Sequence, residues 1–168
     1  MAREMTCDCG RTLTGQDDEE LFREAKEHID RYFERFPTIR KFMDDVVAEA
    51  RARGGSRTVL GRWRPIPELK SKSPAARRAA ERIAQNTPMQ GTGADIIKLA
   101  MLRTHAAIAS AKLPARMLLT VHDELVFETD PDRAEDVGAV VRAEMEGAFE
   151  LDVPLDVDIG IARSWADA

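Results

Sequence analysis

The sequence has only two cysteines and no long apolar run, and each shortage excludes a class of protein. Cys7 and Cys9 alone make neither a disulfide framework nor a complete set of zinc ligands, so they are expected to be reduced thiols. No apolar run approaches the roughly 18 residues that span a bilayer, and the first residues lack the apolar stretch of a signal peptide. We therefore expect a cytoplasmic protein with no membrane partner.

The composition is that of a globular protein whose charge is unevenly distributed. Charged residues make up 33% and hydrophobic residues 43% of the 168 positions, and the formal net charge is −5. From Arg51 to Arg82, however, ten residues are basic and only two are acidic. Such a stretch indicates either a surface for a polyanion or a solvated linker and helix face.

The pattern of apolar residues divides the chain into three segments. Residues 1 to 16 show no periodicity and are expected to be a tail with little order. Helical spacing follows from Asp17, interrupted by Pro37 and later bent near Pro88 and Gly91. The predicted organisation is a tail at 1–16, a helical segment at 17–112 with a basic, irregular or hairpin-like connector at 54–73, and a β-β-α-β segment at 113–168.

The last segment contains the clearest strand signals. Two short apolar runs, Met117–Val121 and Leu125–Phe127, flank the polar residues His122, Asp123 and Glu124, which predicts an antiparallel hairpin with these residues at its tip.

A helix and a third strand are predicted to follow the hairpin. Asp130 is expected to cap the helix, with Pro131 at its first position. From Val153 to Ala162 apolar and other residues alternate, which is the period of a half-buried strand. The predicted fold class is α+β, with an antiparallel sheet of a hairpin and a strand packed against helices.

Adjacent carboxylates at a hairpin tip offer ligands for a hard divalent cation. Asp123 and Glu124 are oxygen donors of the kind that Mg²⁺ prefers. An Asp-Glu pair at a turn is also common as a solvated tip, because Asp favours turns through local hydrogen bonds. The pair by itself leaves both interpretations open.

The segment VHDELVFE (Val121 to Glu128), which contains this pair, resembles the carboxylate motif of the family A DNA polymerases, the bacterial DNA polymerase I family. Four further blocks resemble the same family in the same order along the chain: His28 to Pro37, Thr58 to Leu69, Ala79 to Met101 and Glu144 to Trp165.

The resemblance implies a function in template-directed DNA synthesis, in replication and repair. It implies that Asp123 and Glu124 lie at a hairpin turn of the palm and are catalytic ligands of a two-metal Mg²⁺ site. The implied partners are primer–template DNA and, in the complete enzyme, a deoxynucleoside triphosphate. The helical segment would then derive from the fingers and the last segment from the palm.

A second set of residues is expected to contact DNA. Arg82, Asn86 and Gln90 are spaced by four, so they lie close to one helical face, and in the family the matching residues contact primer–template DNA near its growing end. His122 matches a family residue near the primer terminus. The basic connector adds phosphate-contact candidates that give affinity without sequence preference: Arg57, Arg62 and Arg64.

Two elements of family A catalysis do not occur in the sequence. They are the earlier palm strand with its own Asp and the fingers helix that holds the incoming nucleotide. We therefore expect a polymerase fragment that is inactive alone, unless another chain supplies the missing palm and fingers. The alternatives are a non-catalytic DNA-binding remnant and, less in keeping with the five blocks, an unrelated Mg²⁺-dependent hydrolase.

Overall fold

The computed structural model describes residues 2–7 and 9–167, which form two compact units that divide after Arg53. The first unit contains one β-hairpin and two helices, and the second contains two β-hairpins and three helices. No helix in the described part of the chain combines the length and apolar character needed to span a bilayer. The mixture of helices and small antiparallel sheets confirms the predicted α+β class.

The first unit begins with a hairpin where little order was predicted. Strand β1 (Arg3–Thr6) pairs antiparallel with β2 (Thr12–Gly15), and the hairpin packs against helix α1 (Asp18–Arg35). Leu13 is 2% exposed. The prediction of a loose tail over residues 1 to 16 is wrong, because one buried leucine and backbone pairing order a segment too short to show periodicity.

Helix α1 begins and ends where the sequence predicts. The Asp17 carboxylate accepts a hydrogen bond from the backbone N–H of Glu20 at 2.8 Å and so caps the first turn. The next helix, α2 (Pro37–Arg53), starts at a proline, which has no backbone donor to lose in a first turn. It ends at Gly54, whose φ of 80° is the left-handed conformation that terminates many helices.

The first part of the basic connector forms a hairpin, which is one of the two forms that the sequence left open. Strand β3 (Gly55–Arg57) pairs antiparallel with β4 (Trp63–Pro65). Gly61, with φ of 89°, supplies the left-handed position in the turn between them. A short 3₁₀ helix, Pro67–Lys70, follows β4 and buries Leu69.

The long helical stretch contains the predicted irregularity. Helix α3 (Pro74–Asn86) and helix α4 (Thr92–Ser110) are joined by one π-helical turn, Thr87–Gly91. Pro88 removes a backbone donor, and the widened turn absorbs that loss while the chain remains helical.

The carboxylate hairpin packs on the last long helix. Strand β5 (Ala115–Val121) pairs antiparallel with β6 (Glu124–Thr129), with a register shift between Met117 and Leu119. Helix α5 (Ala134–Glu146) follows. Apolar side chains from α4, α5 and the hairpin form the core: Ile108, Val137, Val141, Phe127, Ala115 and Val140.

Two details of the last segment differ from prediction. Asp130 makes no side-chain capping bond, because Pro131–Arg133 forms a 3₁₀ turn and α5 begins one turn later than expected. Residues 153–162 form no strand. Leu155, Val157 and Ile159 are half-buried and their neighbours are exposed, as alternation predicts, but the segment has no paired strand among the residues that the structure describes. Alternation predicts the buried face, whereas a strand also needs a hydrogen-bonding partner.

Candidate nucleic-acid and metal site

The carboxylate pair lies at the turn of the β5–β6 hairpin. His122 and Asp123 are the two turn residues, and Glu124 is the first residue of β6, where it pairs with Val121. His122 has φ of 55°, the left-handed conformation that tight two-residue hairpin turns require. All three polar side chains are exposed. The hairpin therefore presents two adjacent acidic groups to solvent at the end of a short sheet.

Two carboxylates fit part of a magnesium site. Mg²⁺ is commonly held by one or two carboxylates, and it keeps several waters or binds substrate phosphate. Within residues 2–7 and 9–167, no third acidic, histidine or cysteine ligand lies close enough to Asp123 and Glu124 to make a three-ligand group. The donor chemistry suits Mg²⁺, but the described residues supply fewer carboxylates than a two-metal centre uses.

Ion pairing and packing shape the sides of this hairpin. Arg116 and Glu128 face each other across the strands with 3.1 Å between Nη2 and Oε2. Leu118 and Leu119 on β5 are 51% and 42% exposed. Thus β5 leaves apolar side chains open to solvent beside the acidic turn.

The basic connector contains one arginine that is held in place by the protein itself. Arg62 Nε donates to Asp95 Oδ1 at 2.6 Å, and its Nη2 donates to the Gly91 carbonyl at 3.0 Å. Both acceptors lie at or near the start of α4. The side chain of Arg62 is nevertheless half exposed. Arg62 therefore ties the β3–β4 turn to α4, and its predicted phosphate contact would have to be made by the remaining exposed part of its guanidinium.

Asp95 is buried, and its surroundings favour its charged form. The Thr58 hydroxyl, and then the Arg62 guanidinium, lower the pKa of Asp95 from its ordinary value, against desolvation, which raises it. Asp95 Oδ2 has no partner with hydrogen-bond geometry among the described residues. The sequence interpretation missed this aspartate. Its only signal was an acidic residue in the first turn of a helix that follows an arginine-rich loop.

The other two connector arginines are on the exposed surface. The Arg57 guanidinium lies 5.4 Å from the centroid of the Trp63 ring, within the range of a cation–π contact. Arg64 lies opposite Ser56 in the same hairpin. A cation on a short, paired strand loses little conformational freedom when it binds a phosphate.

The predicted DNA-facing polar residues span the end of α3 and the π-helical turn. Arg82 and Asn86 are exposed on α3 four residues apart, and Gln90 is exposed in the turn Thr87–Gly91. The wider turn changes the angle between Asn86 and Gln90 relative to a regular helix. The structure thus keeps all three at the surface, although their spacing is not that of one straight helical face.

Comparison with solved structures gives the class of protein. The polymerase domain of Pol1 from Mycobacterium smegmatis, solved as a "complex with DNA primer-template and dNTP", matches with a TM-score of 0.83 and 48% identity. The match covers 87% of this chain and 26% of that chain. The chain therefore has the fold of part of a DNA polymerase domain.

The family follows from the sequence comparisons. A profile of DNA polymerase family A matches residues 20–167, so the chain belongs to DNA polymerase family A. It is 52% identical over 142 residues to DNA polymerase I of Mycobacterium bovis and 44% identical over 147 residues to the thermostable DNA polymerase I of Thermus aquaticus. These matches cover 84% and 88% of this chain but only 16% and 17% of the relatives' length.

Proposed function

We propose that this chain provides the part of a family A DNA polymerase that binds primer–template DNA and presents two carboxylates for Mg²⁺, and that DNA synthesis requires a further palm and fingers segment. The observation that carries this proposal is the position of Asp123 and Glu124. They lie at an exposed hairpin turn inside the region that matches the family. Bound there, Mg²⁺ would neutralise charge on a phosphoryl group. In this proposal Asp123 and Glu124 bind the metal and His122 lies beside the primer.

The exposed residues of the second unit support a role in binding DNA. The exposed cations of the connector, Arg57 and Arg64, suit phosphate oxygens, and the amides of Asn86 and Gln90 each offer a donor and an acceptor to a base edge. Proteins that contact the phosphate backbone through cationic side chains bind DNA without strong sequence preference. The matched structure from Mycobacterium smegmatis was solved with primer–template DNA and a deoxynucleoside triphosphate, and we propose the same partners for the complete enzyme.

The free sheet edge supports the need for a further segment. In the described part of the chain β5 and β6 pair only with each other, so their outer edges keep unpaired backbone groups. Val153 and Ile161 are 72% and 50% exposed, in the segment whose alternation predicts a strand. We infer that a strand from the missing palm segment pairs with a free edge of the β5–β6 sheet. This strand would bring the additional carboxylate that a two-metal site needs.

A primer-extension assay tests whether the chain is active alone. We expect no extension of a primed template by the full chain with Mg²⁺ and deoxynucleoside triphosphates. Two carboxylates on only one side of a two-metal site would hold the two Mg²⁺ ions poorly. Sustained, template-dependent extension by the chain alone would contradict this expectation.

A binding assay tests the DNA-facing surface and separates the non-catalytic alternative. Fluorescence anisotropy with a primed duplex should show binding that weakens with salt, and Arg64→Ala should reduce the magnitude of the log–log salt slope by about 1. The matched control is Arg31→Ala, an exposed arginine on α1 outside the basic stretch. Equal salt slopes for the two variants would count against the proposed surface. Binding without any extension, even when the missing segment is added, would favour a DNA-binding remnant.

A further inference from the structure

The first unit brings together three thiol and imidazole side chains, of which the two thiols lie outside the family match. Cys7 and Cys9 lie between β1 and β2, and His28 lies on α1. One ligand atom from each residue lies within 4.8 Å of the others, and Cys9 Sγ is 3.4 Å from His28 Nε2. The two cysteines precede residue 20, where the match to DNA polymerase family A begins. Hereafter these three residues are the cysteine cluster.

The distances suit a tetrahedral zinc ion. With Zn–S bonds of about 2.3 Å and Zn–N bonds of about 2.0 Å, tetrahedral angles place ligand atoms roughly 3.5–3.8 Å apart. The Cys9–His28 distance already has nearly this value. The 4.8 Å upper bound on the remaining pairs requires at most a small side-chain rotation, since all three side chains are exposed or half-buried.

The turn that carries the two cysteines is fixed by backbone hydrogen bonds. The Cys7 N–H donates to the Arg11 carbonyl at 2.9 Å, and the Gly10 N–H donates to the Cys7 carbonyl at 2.8 Å. Gly10 has φ of 84°, a conformation that a side chain would strain. The turn therefore holds Cys7 and Cys9 on one short loop without help from a metal.

Separate contacts fix the hairpin to the helix that carries the histidine. The Thr14 N–H donates to Glu24 Oε2 at 2.7 Å, and the Gln16 N–H donates to Glu20 Oε2 at 2.8 Å. Glu20, Glu24 and His28 are spaced by four, so they lie along one face of α1. The same face that binds β2 thus presents His28 to the cysteine turn.

The chemistry of the three donors favours a borderline or soft metal ion. The thiolate is the form that binds metal. Thiolate and imidazole ligands select zinc and similar borderline or soft ions, whereas Mg²⁺ takes oxygen ligands.

We propose that Cys7, Cys9 and His28 together bind one Zn²⁺ ion, with the fourth tetrahedral position left to water or another donor. The ion would join the β1–β2 hairpin to α1 and so stabilise the first unit. This site does not depend on the proposed polymerase function, because none of its residues belongs to the carboxylate hairpin or the basic connector.

Metal titration of the reduced, metal-free full chain tests the proposal. We expect one equivalent of Zn²⁺ to bind in competition with a chromogenic chelator, and Co²⁺ in its place to give a thiolate-to-cobalt charge-transfer band with the intense visible bands of tetrahedral cobalt. Cys9→Ser and His28→Gln should each weaken Zn²⁺ binding by at least about 10-fold, since loss of even an outer-shell partner costs that much. The control is His105→Gln, an exposed histidine on α4 outside the cluster.

A second readout needs no substitution. In the unaltered chain, Zn²⁺ should slow alkylation of both cysteines, whereas Mg²⁺ should not. Absence of protection by Zn²⁺, unchanged affinity in a Cys7→Ser and Cys9→Ser double variant, or a cobalt spectrum without the thiolate band would each overturn the proposal. An equal loss of affinity in His105→Gln would also overturn it.

Discussion

The turn between β1 and β2 and the turn between β5 and β6 both carry side chains of the kinds that bind metal ions, but the two sets differ in completeness. At the first turn two thiols meet an imidazole from α1, and one ligand atom from each lies within 4.8 Å of the others. At the second turn Asp123 and Glu124 have no third ligand within the described residues. The first set is assembled within a single unit, whereas we propose that the second is completed by a further carboxylate from another segment.

The two turns differ in their relation to the family match. The carboxylate hairpin lies within residues 20–167, which match DNA polymerase family A, and takes its proposed role from that match. The cysteines lie outside the match, and their proposed role rests on geometry alone. Substitutions should therefore affect the two turns independently, because each turn is ordered by strand pairing within its own unit.

The largest expected effect comes from the buried leucine of the first hairpin. Leu13→Ala removes a side chain that is 2% exposed and should lower the free energy of unfolding by about 3 kcal/mol. Urea denaturation checks this, with Val153→Ala, at a site 72% exposed, as the control that should change little. Zn²⁺ affinity should fall in Leu13→Ala and remain unchanged in Val153→Ala. Equal stability of the two variants would contradict the packing described for the first hairpin.

The next effect concerns the ion pair beneath the basic connector. Arg62→Ala leaves the buried carboxylate of Asp95 without the guanidinium that donates to it at 2.6 Å and should cost about 2 kcal/mol at neutral pH. DNA affinity measured on this variant would mix folding with binding, which is why Arg64→Ala is the cleaner binding variant.

The pH dependence of the same pair has a defined sign. Because the pKa of Asp95 is lowered in the folded state, its contribution to stability is fully present above the ordinary pKa of an aspartate. It is lost as the pH falls through the lowered value. Unfolding measured at about pH 7 and about pH 3 should therefore show a smaller loss of stability in Asp95→Asn than in the parent chain. An identical loss in both would exclude Asp95 as a titrating contributor.

The smallest expected effect is at the carboxylate turn itself. Asp123→Asn and Glu124→Gln replace exposed side chains and should each change the free energy of unfolding by no more than about 0.5 kcal/mol. Thermal denaturation with and without Mg²⁺ measures this. A large stabilisation by Mg²⁺ that either variant abolishes would show that the hairpin already holds a complete site. That result would contradict the claim that the carboxylate turn is an incomplete ligand set.

The sequence predicted those parts of the fold that depend on local patterns. Helical spacing from Asp17 predicted α1, and paired apolar runs around His122 predicted the β5–β6 hairpin. The first hairpin was missed because its strands have four residues each and one buried side chain, which is too little for a periodic signal. The predicted strand after Val153 failed because pairing depends on a partner elsewhere.

The sequence predicted the site residues that lie in the segments resembling the family. Asp123, Glu124 and Asn86 were identified in such segments, and their roles stay predictions. The link between Arg62 and Asp95, and the approach of His28 to Cys9, join residues that are 33 and 19 positions apart. Such contacts depend on how elements pack in three dimensions, and no spacing rule in the sequence encodes them.

Complementation is the most direct test of the claim that this chain holds half of a catalytic centre. The full chain would be mixed with the polymerase-domain segment of Mycobacterium tuberculosis DNA polymerase I that precedes the part matching this chain, and primer extension would be measured with Mg²⁺. We predict extension by the mixture, none by either component alone, and loss of extension when the chain carries Asp123→Asn. Extension by the Asp123→Asn mixture at the rate of the unaltered one would contradict the account.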